Sequence, residues 1–316
     1  MVNRKRHISS LLTRSGVHRS RYHLLLAALC LVWLGACSFN FVYRQLDWLV
    51  PWQLSDYVSI DEAQRSELEQ RLIENIEWHC STQLSAYADW FREMQRAPQP
   101  FTRAELERHY WRSVEFWQLL MEQLSPDITA LLLTASDGQV RELMTNLERR
   151  NRELEKRYVS AGWKKVRQRR IARMEEILRR WIGPLTEAQQ QILARWADDL
   201  GQSGEAWIEN RRRWQRALGE AFALRTDPKR FGERIRILFV EPRQLWPEGY
   251  RQEYARLRAR TLDMLAEISA SGTDEQQRYF NNQLLSWAED FERLTCTPPG
   301  KSNGHDAQDS SSRMAR

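Results

Sequence analysis

Apolar residues recur at three- and four-residue intervals through almost all of residues 61–296, and no long stretch alternates as a half-buried strand would. Gly (13) and Pro (10) are scarce in 316 residues, so little interrupts the pattern. The spacing predicts an all-α chain, a multi-helix bundle of amphipathic helices. Helix starts share a signature. Asp61, Thr102, Ser136, Thr186 and Thr273 each stand three residues before Gln or Glu. At that interval the first side chain accepts a bond from a first-turn amide and the second bonds back. Asp227-Pro228 and Trp246-Pro247 add two starts with proline at the first helical position. Stops are expected at Pro98, Ser125-Pro126 and Gly183-Pro184.

Three of the starts share more than a cap: IDEAQRSELEQRLIENIEWH, LTEAQQQILARWADDL and GTDEQQRYFNNQLLSWAEDF each lead through Gln to a tryptophan. The intervals from Asp61 to Thr186 and on to Thr273, 125 and 87 residues, are too unequal for a fixed-period solenoid. They read as one helix type used repeatedly; the likeness of any two amphipathic helices opened by a capping box is the plainer account.

The pattern changes before residue 61. Residues 1–23 carry Arg4, Lys5, Arg6, Arg14, Arg19 and Arg21 with no acidic residue, and an apolar run follows from Leu24 to Leu34. Eleven residues at 1.5 Å each reach about 16 Å, half of a ~30 Å hydrocarbon core, so residues 1–36 are read as a cleaved signal peptide, not a spanning helix. Leu34-Gly35-Ala36-Cys37 resembles a bacterial lipobox, which makes Cys37 the expected lipidated N-terminus and the diacylglyceryl and acyl groups on it the expected contact with a membrane.

Composition changes meaning once that leader is set aside. The chain has 48 basic and 42 acidic residues, and six of the basic ones precede Cys37. The remainder is formally neutral, so nucleic acid is not an expected partner. Besides Cys30 and Cys37 only Cys80 and Cys296 remain. In an oxidising compartment they are expected to pair, closing a 216-residue loop worth up to about 5 kcal/mol by chain entropy. Two free thiols, one beside His79, are the competing reading. The tail KSNGHDAQDSSSRMAR, within 297–316, has the composition of a disordered segment.

Residues 37–60 form a Trp-rich juxtamembrane stretch. Phe41, Val42, Leu46, Leu49 and Val50 lie near one helical face until Pro51 interrupts, and Trp48, Trp52 and Tyr57 supply rings suited to a membrane–water boundary. The segment either lies on the bilayer or packs into the protein core; core packing is the preferred reading. The run YRQLDWLVPWQLSDYVSID, then WHC, TQLSAYADWF and QQRYFNNQLLSWAEDF, is similar to the DUF6279 family of proteobacterial lipoproteins. That resemblance implies a lipoprotein signal and a helical domain over 61–296, with no activity assigned. By the lipoprotein sorting rule Ser38, in place of aspartate, implies the outer membrane, facing the periplasm.

Candidate chemistry is sparse. No HExxH, phosphate-binding glycine loop or GxSxG elbow occurs, and no cofactor is expected. His79, Cys80 and His109 are the nearest approach to a metal set, with a structural histidine the simpler reading of His79. The richest charged stretch, KKVRQRRIARMEEILRR, continues the helix pattern of RELMTNLERRNRELEKRY and holds Lys164, Lys165, Arg167, Arg169, Arg170, Arg173, Arg179 and Arg180 against two glutamates. It reads as a solvated face or as a strip for an anionic partner such as phospholipid, lipopolysaccharide phosphate or an acidic helix. A second cluster, NRRRWQR at 210–216, allows cation–π packing. The sequence is therefore read as a lipid-anchored binding or scaffolding protein of the envelope with an envelope protein as partner and no catalysis evident; a chaperone or an envelope hydrolase is the alternative.

Overall fold

The structure is a computed structural model and describes residues 38–296. The described residues include twelve α-helices and one 3-10 turn, with no strand among them. Two compact units divide at Leu46. The described part of the first is α1 (Ser38–Tyr43) and the turn after it. The second begins with α2 (Leu46–Leu54), α3 (Glu62–Thr82), α4 (Leu84–Arg96), α5 (Arg103–Leu133) and α6 (Asp137–Tyr158). It continues with α7 (Trp163–Ile182), α8 (Glu187–Asp199), α9 (Gly204–Phe222), α10 (Pro228–Phe239), α11 (Glu248–Ala270) and α12 (Asp274–Leu294). No described helix is long and apolar enough to cross a membrane.

All five expected capping boxes close in both directions, at Asp61, Thr102, Ser136, Thr186 and Thr273. Asp227 caps α10 with Pro228 at its start, whereas Pro247 is itself the N-cap of α11. Two proline stops fail. Pro126 lies inside α5 and Pro51 inside α2. At Pro126 the lost amide bond is offset by neighbours: Ser125 is buried, and Asp127 is held by Arg71 and Asn75 of α3. The continuous helix expected through 164 also breaks, because Gly162 takes φ +79°, a left-handed conformation that suits glycine, and separates α6 from α7.

Four of the box glutamines do more than cap. Gln64 and Gln139 exchange amide bonds at 3.2 and 2.6 Å, and Gln189 and Gln276 do so at 2.8 and 2.9 Å. Each also donates to the carbonyl two residues before its partner's cap: Gln64 to Thr134, Gln139 to Ser59, Gln189 to Ser271 and Gln276 to Pro184. The helix starts are thereby joined in two pairs, α3 with α6 and α8 with α12, by the same pattern. Gln189 is fully buried, and these bonds satisfy an amide that would otherwise be costly to desolvate.

The most extensive helix contact is α4 on α12. Both present leucine, alanine and phenylalanine at i, i+4 and i+7, as Leu84, Ala88, Phe91 and Leu284, Ala288, Phe291, all buried. The two alanines permit close approach, the phenylalanine rings lie 5.5 Å apart, and Arg92 closes the edge with a two-pronged bond to Glu292. Further apolar clusters form where α7, α8 and α11 meet, around Leu193 and Met264, and where α9 and α10 meet, around Phe231 and Ile235. Cys80 and Cys296 form a disulfide between α3 and the end of α12, with Cα atoms 5.3 Å apart.

Residues 41–57 follow the preferred core reading only in part. Phe41, Val42, Trp48 and Trp52 are exposed, while Leu49, Val50 and Tyr57 are half-buried. Trp48 and Trp52, four residues apart on α2, share its outer face and stack with ring centres 6.2 Å apart; Pro51 takes the buried face.

Candidate functional site

The basic strip does not form one free surface. On α7, Arg167 makes a two-pronged pair with Asp198 of α8 at 2.5 and 2.8 Å. Arg173 and Arg180 both bond Glu176 on their own helix. Lys164, Lys165 and Arg179 are exposed. Arg169 and Arg170 turn elsewhere. Arg169 donates to the Arg157 carbonyl at 2.6 Å, and Arg170 donates to the carbonyls of Ala197 and Gly201 while its guanidinium lies over Trp163.

These last residues border a groove of about 870 Å³ between the end of α6, the outer side of α7 and the start of α9. Arg157, Arg169, Arg170 and Arg173 line it with Tyr158, Trp207 and aliphatic side chains, and Glu176 is its one acid. None of Arg157, Arg169 and Arg170 has a carboxylate at ion-pair distance among the described residues. Burial, then the positive charge of Arg256, draws Arg170 below the usual arginine pKa, the mark of a cation without a counter-charge. The groove wall is fixed by Gly204: a Cβ there would come within 2.6 Å of the Tyr158 carbonyl, so α9 meets the end of α6 only through glycine.

Ser203 and Trp207 also line a second cavity of about 740 Å³. Its walls come from α4, α5, α7, α9, α11 and α12, with Trp90, Trp181, Tyr254, Leu257, Phe280 and Leu284 among them. Polar groups here are largely spent on one another. Tyr110 and Tyr254 share a hydroxyl bond at 2.9 Å; burial, then that bond, pushes Tyr254 up to about 12. Thr261 accepts from Trp196 and donates to the Leu257 carbonyl, and the Arg258 guanidinium lies over Tyr110 and Trp111 at 5.4 and 4.8 Å. Trp90 donates to Nδ1 of His109 at 3.0 Å, which puts the proton of the neutral ring on Nε2. That Nε2 and Nε of Arg258 are sealed from solvent without partners.

Of the other sequence candidates, Cys37 lies outside the described residues and Ser38 opens α1. His79 sits 3.3 Å from the Tyr87 hydroxyl and is drawn below its usual pKa by burial. No three His, Cys, Asp or Glu side chains gather for a metal among the described residues. In NRRRWQR the cation–π partner is not Trp214, which packs in the α9–α10 core and donates to the Leu238 carbonyl; Arg211 lies over Trp207, and Arg212 is held by Glu148 and Glu155. Arg157, Tyr158 and Trp207 were not legible as site residues, because the groove is assembled from four helices, Trp196 of α8 included, and its one sequence signal is an arginine excess already read as a strip.

Fold and cleft together define an all-α protein of amphipathic helices in which an aromatic cavity adjoins an arginine-lined groove, the two sharing Ser203 and Trp207. The chain belongs to the DUF6279 family, a family of unknown function whose model matches residues 56–251 and so takes in the whole groove. No curated protein and no solved structure matches it.

Proposed function

We propose that the protein is a lipid-anchored outer-membrane lipoprotein, facing the periplasm, that binds a ligand within the cell envelope. The observation that carries the binding role is the adjoining pair of cavities, each within the ~300–1,000 Å³ range of small-molecule sites and sharing Ser203 and Trp207. Anchoring rests on the lipobox-like run ending at Cys37 and the basic, acid-free leader before it. The exposed Trp48–Trp52 stack, a few turns after that cysteine, supports it, since indole rings settle at the membrane–water boundary. The test is expression of the full chain in a Gram-negative host fed an alkyne-bearing fatty acid. Label is expected in the wild-type protein and not in Cys37→Ser, with the labelled form fractionating with the outer membrane. An unlabelled protein, or a label indifferent to Cys37, overturns the reading.

A further inference from the structure

We propose that the two cavities hold one amphipathic anion, its acyl chain among the aromatic residues around Trp207 and its carboxylate or phosphate against Arg157, Arg169 and Arg170. The inference rests on the binding role above and assigns its ligand class.

Each half of the ligand is defined by what the walls leave unpaired. In the aromatic cavity Tyr110 answers Tyr254, Thr261 answers Trp196 and the Leu257 carbonyl, and Trp90 answers His109. The two orphan nitrogens, on His109 and Arg258, are sealed from solvent. The lining carboxylate, Glu253, is held by Arg256, and most of the remaining wall is ring and aliphatic surface, which suits an alkyl chain. The groove is the opposite. Three guanidiniums without carboxylate partners border it, and the lowered pKa of Arg170 agrees with uncompensated positive charge. Arg169 and Arg170 already donate to backbone carbonyls, so what an anion supplies is the missing counter-charge, and a planar guanidinium matches carboxylate and phosphate alike. Trp207 and Ser203 line both spaces, so the chain half and the head-group half adjoin. A peptide would bring amides into the dry half, and a free inorganic anion would leave that half empty.

The experiment uses the full chain in phosphatidylcholine proteoliposomes with three photoactivatable probes, each bearing a diazirine on a twelve-carbon chain: a fatty acid, a lysophosphatidic acid and a neutral monoacylglycerol. Illumination and peptide mapping are expected to place adducts of an anionic probe on the segments holding Trp207 and Leu257, with the monoacylglycerol at background. Which anionic probe labels more strongly distinguishes a carboxylate from a phosphate head group. Arg157→Gln and Arg169→Gln are each expected to lower labelling about tenfold, the loss of one charge-assisted bond. Leu257→Trp, which fills the apolar half, is expected to abolish it while circular dichroism and melting temperature show the helices intact. Equal labelling by the neutral probe, adducts outside both cavities, or labelling unchanged in all three variants overturns the proposal. None of these outcomes touches the Cys37 label, so failure here leaves the anchoring reading standing.

Discussion

His109 is held in one tautomer by Trp90, and burial lowers its pKa, partly countered by Glu93 and Glu105; His79 is lowered by burial alone. In both rings the fold favours the neutral form. The unfolded chain, titrating near 6.5, binds more protons between that value and the lowered folded values, so stability rises with pH across this window. It is fully present above about pH 6.5 and is lost as pH falls below it. Carboxylates held low by arginine, such as Glu148 beside Arg212, act in a separate window below about pH 4.5. Urea unfolding at pH 7.5, 6.0 and 5.0 is expected to show a falling midpoint. His79→Gln with His109→Asn, which keeps an acceptor for Trp90, is expected to flatten the fall between the first two. A midpoint that rises on acidification contradicts the assignment. The positions of both histidines were plain in the sequence; their tautomers and burial were not, since those depend on Trp90 and Tyr87 of a different helix.

At the scale of the helix, every capping box was legible because a cap is a local event: a side chain and an amide three residues away decide it. What joins one cap to another was not legible. The sequence likeness among the starts at Asp61, Thr186 and Thr273 groups three helices, yet the glutamine pairs couple Gln64 with Gln139 and Gln189 with Gln276, across 75 and 87 residues. Ser136 belongs to this set and lacked the tryptophan that marked the others. The recurrence of the same four bonds in both pairs makes the reused helix type a reused helix junction. Gln189→Ala leaves one of the two Gln276 amide hydrogens and the Ser271 carbonyl without the partner they have now, and a loss of about 1–3 kcal/mol is expected in denaturant unfolding. Gln276→Ala costs a similar amount. Combined, the two cost less than the sum of the singles, because the second removes a group the first has already orphaned. Strict additivity would mean the exchange of bonds carries no coupling. Pro126 is the converse lesson: the local rule ended the helix there, and packing around Ser125 and Asp127 carried it on.

For the whole molecule, the all-helical class followed from periodicity, and the pairing of Cys80 with Cys296 from there being two cysteines left once Cys30 and Cys37 are set aside. The cleft could not be read, since six helices spread from Trp90 to Leu284 contribute its walls. The strip on α7 was visible as charge but not as geometry: Arg167 serves the α7–α8 contact, while Arg169 and Arg170 turn into the groove. Exposure of Trp48 and Trp52 reversed the placement that hydrophobicity alone favoured, because on a short helix containing Pro51 one face is buried and the other is left bare.

The disulfide also sets how the molecule bears load. Tension between Ser38 and Cys296 travels through α1, α2 and α3 to Cys80 and then crosses the bridge, leaving α4 to α12 outside the force path. Stretched between those points by optical tweezers, the oxidised protein is expected to lengthen to a contour of only ~15 nm, against ~90 nm after reduction. A long extension under oxidising conditions would contradict a closed bridge. The helices that build the cleft therefore lie outside the path of a pull applied at those two points, which straightens the first helices while the bridge holds the remainder closed.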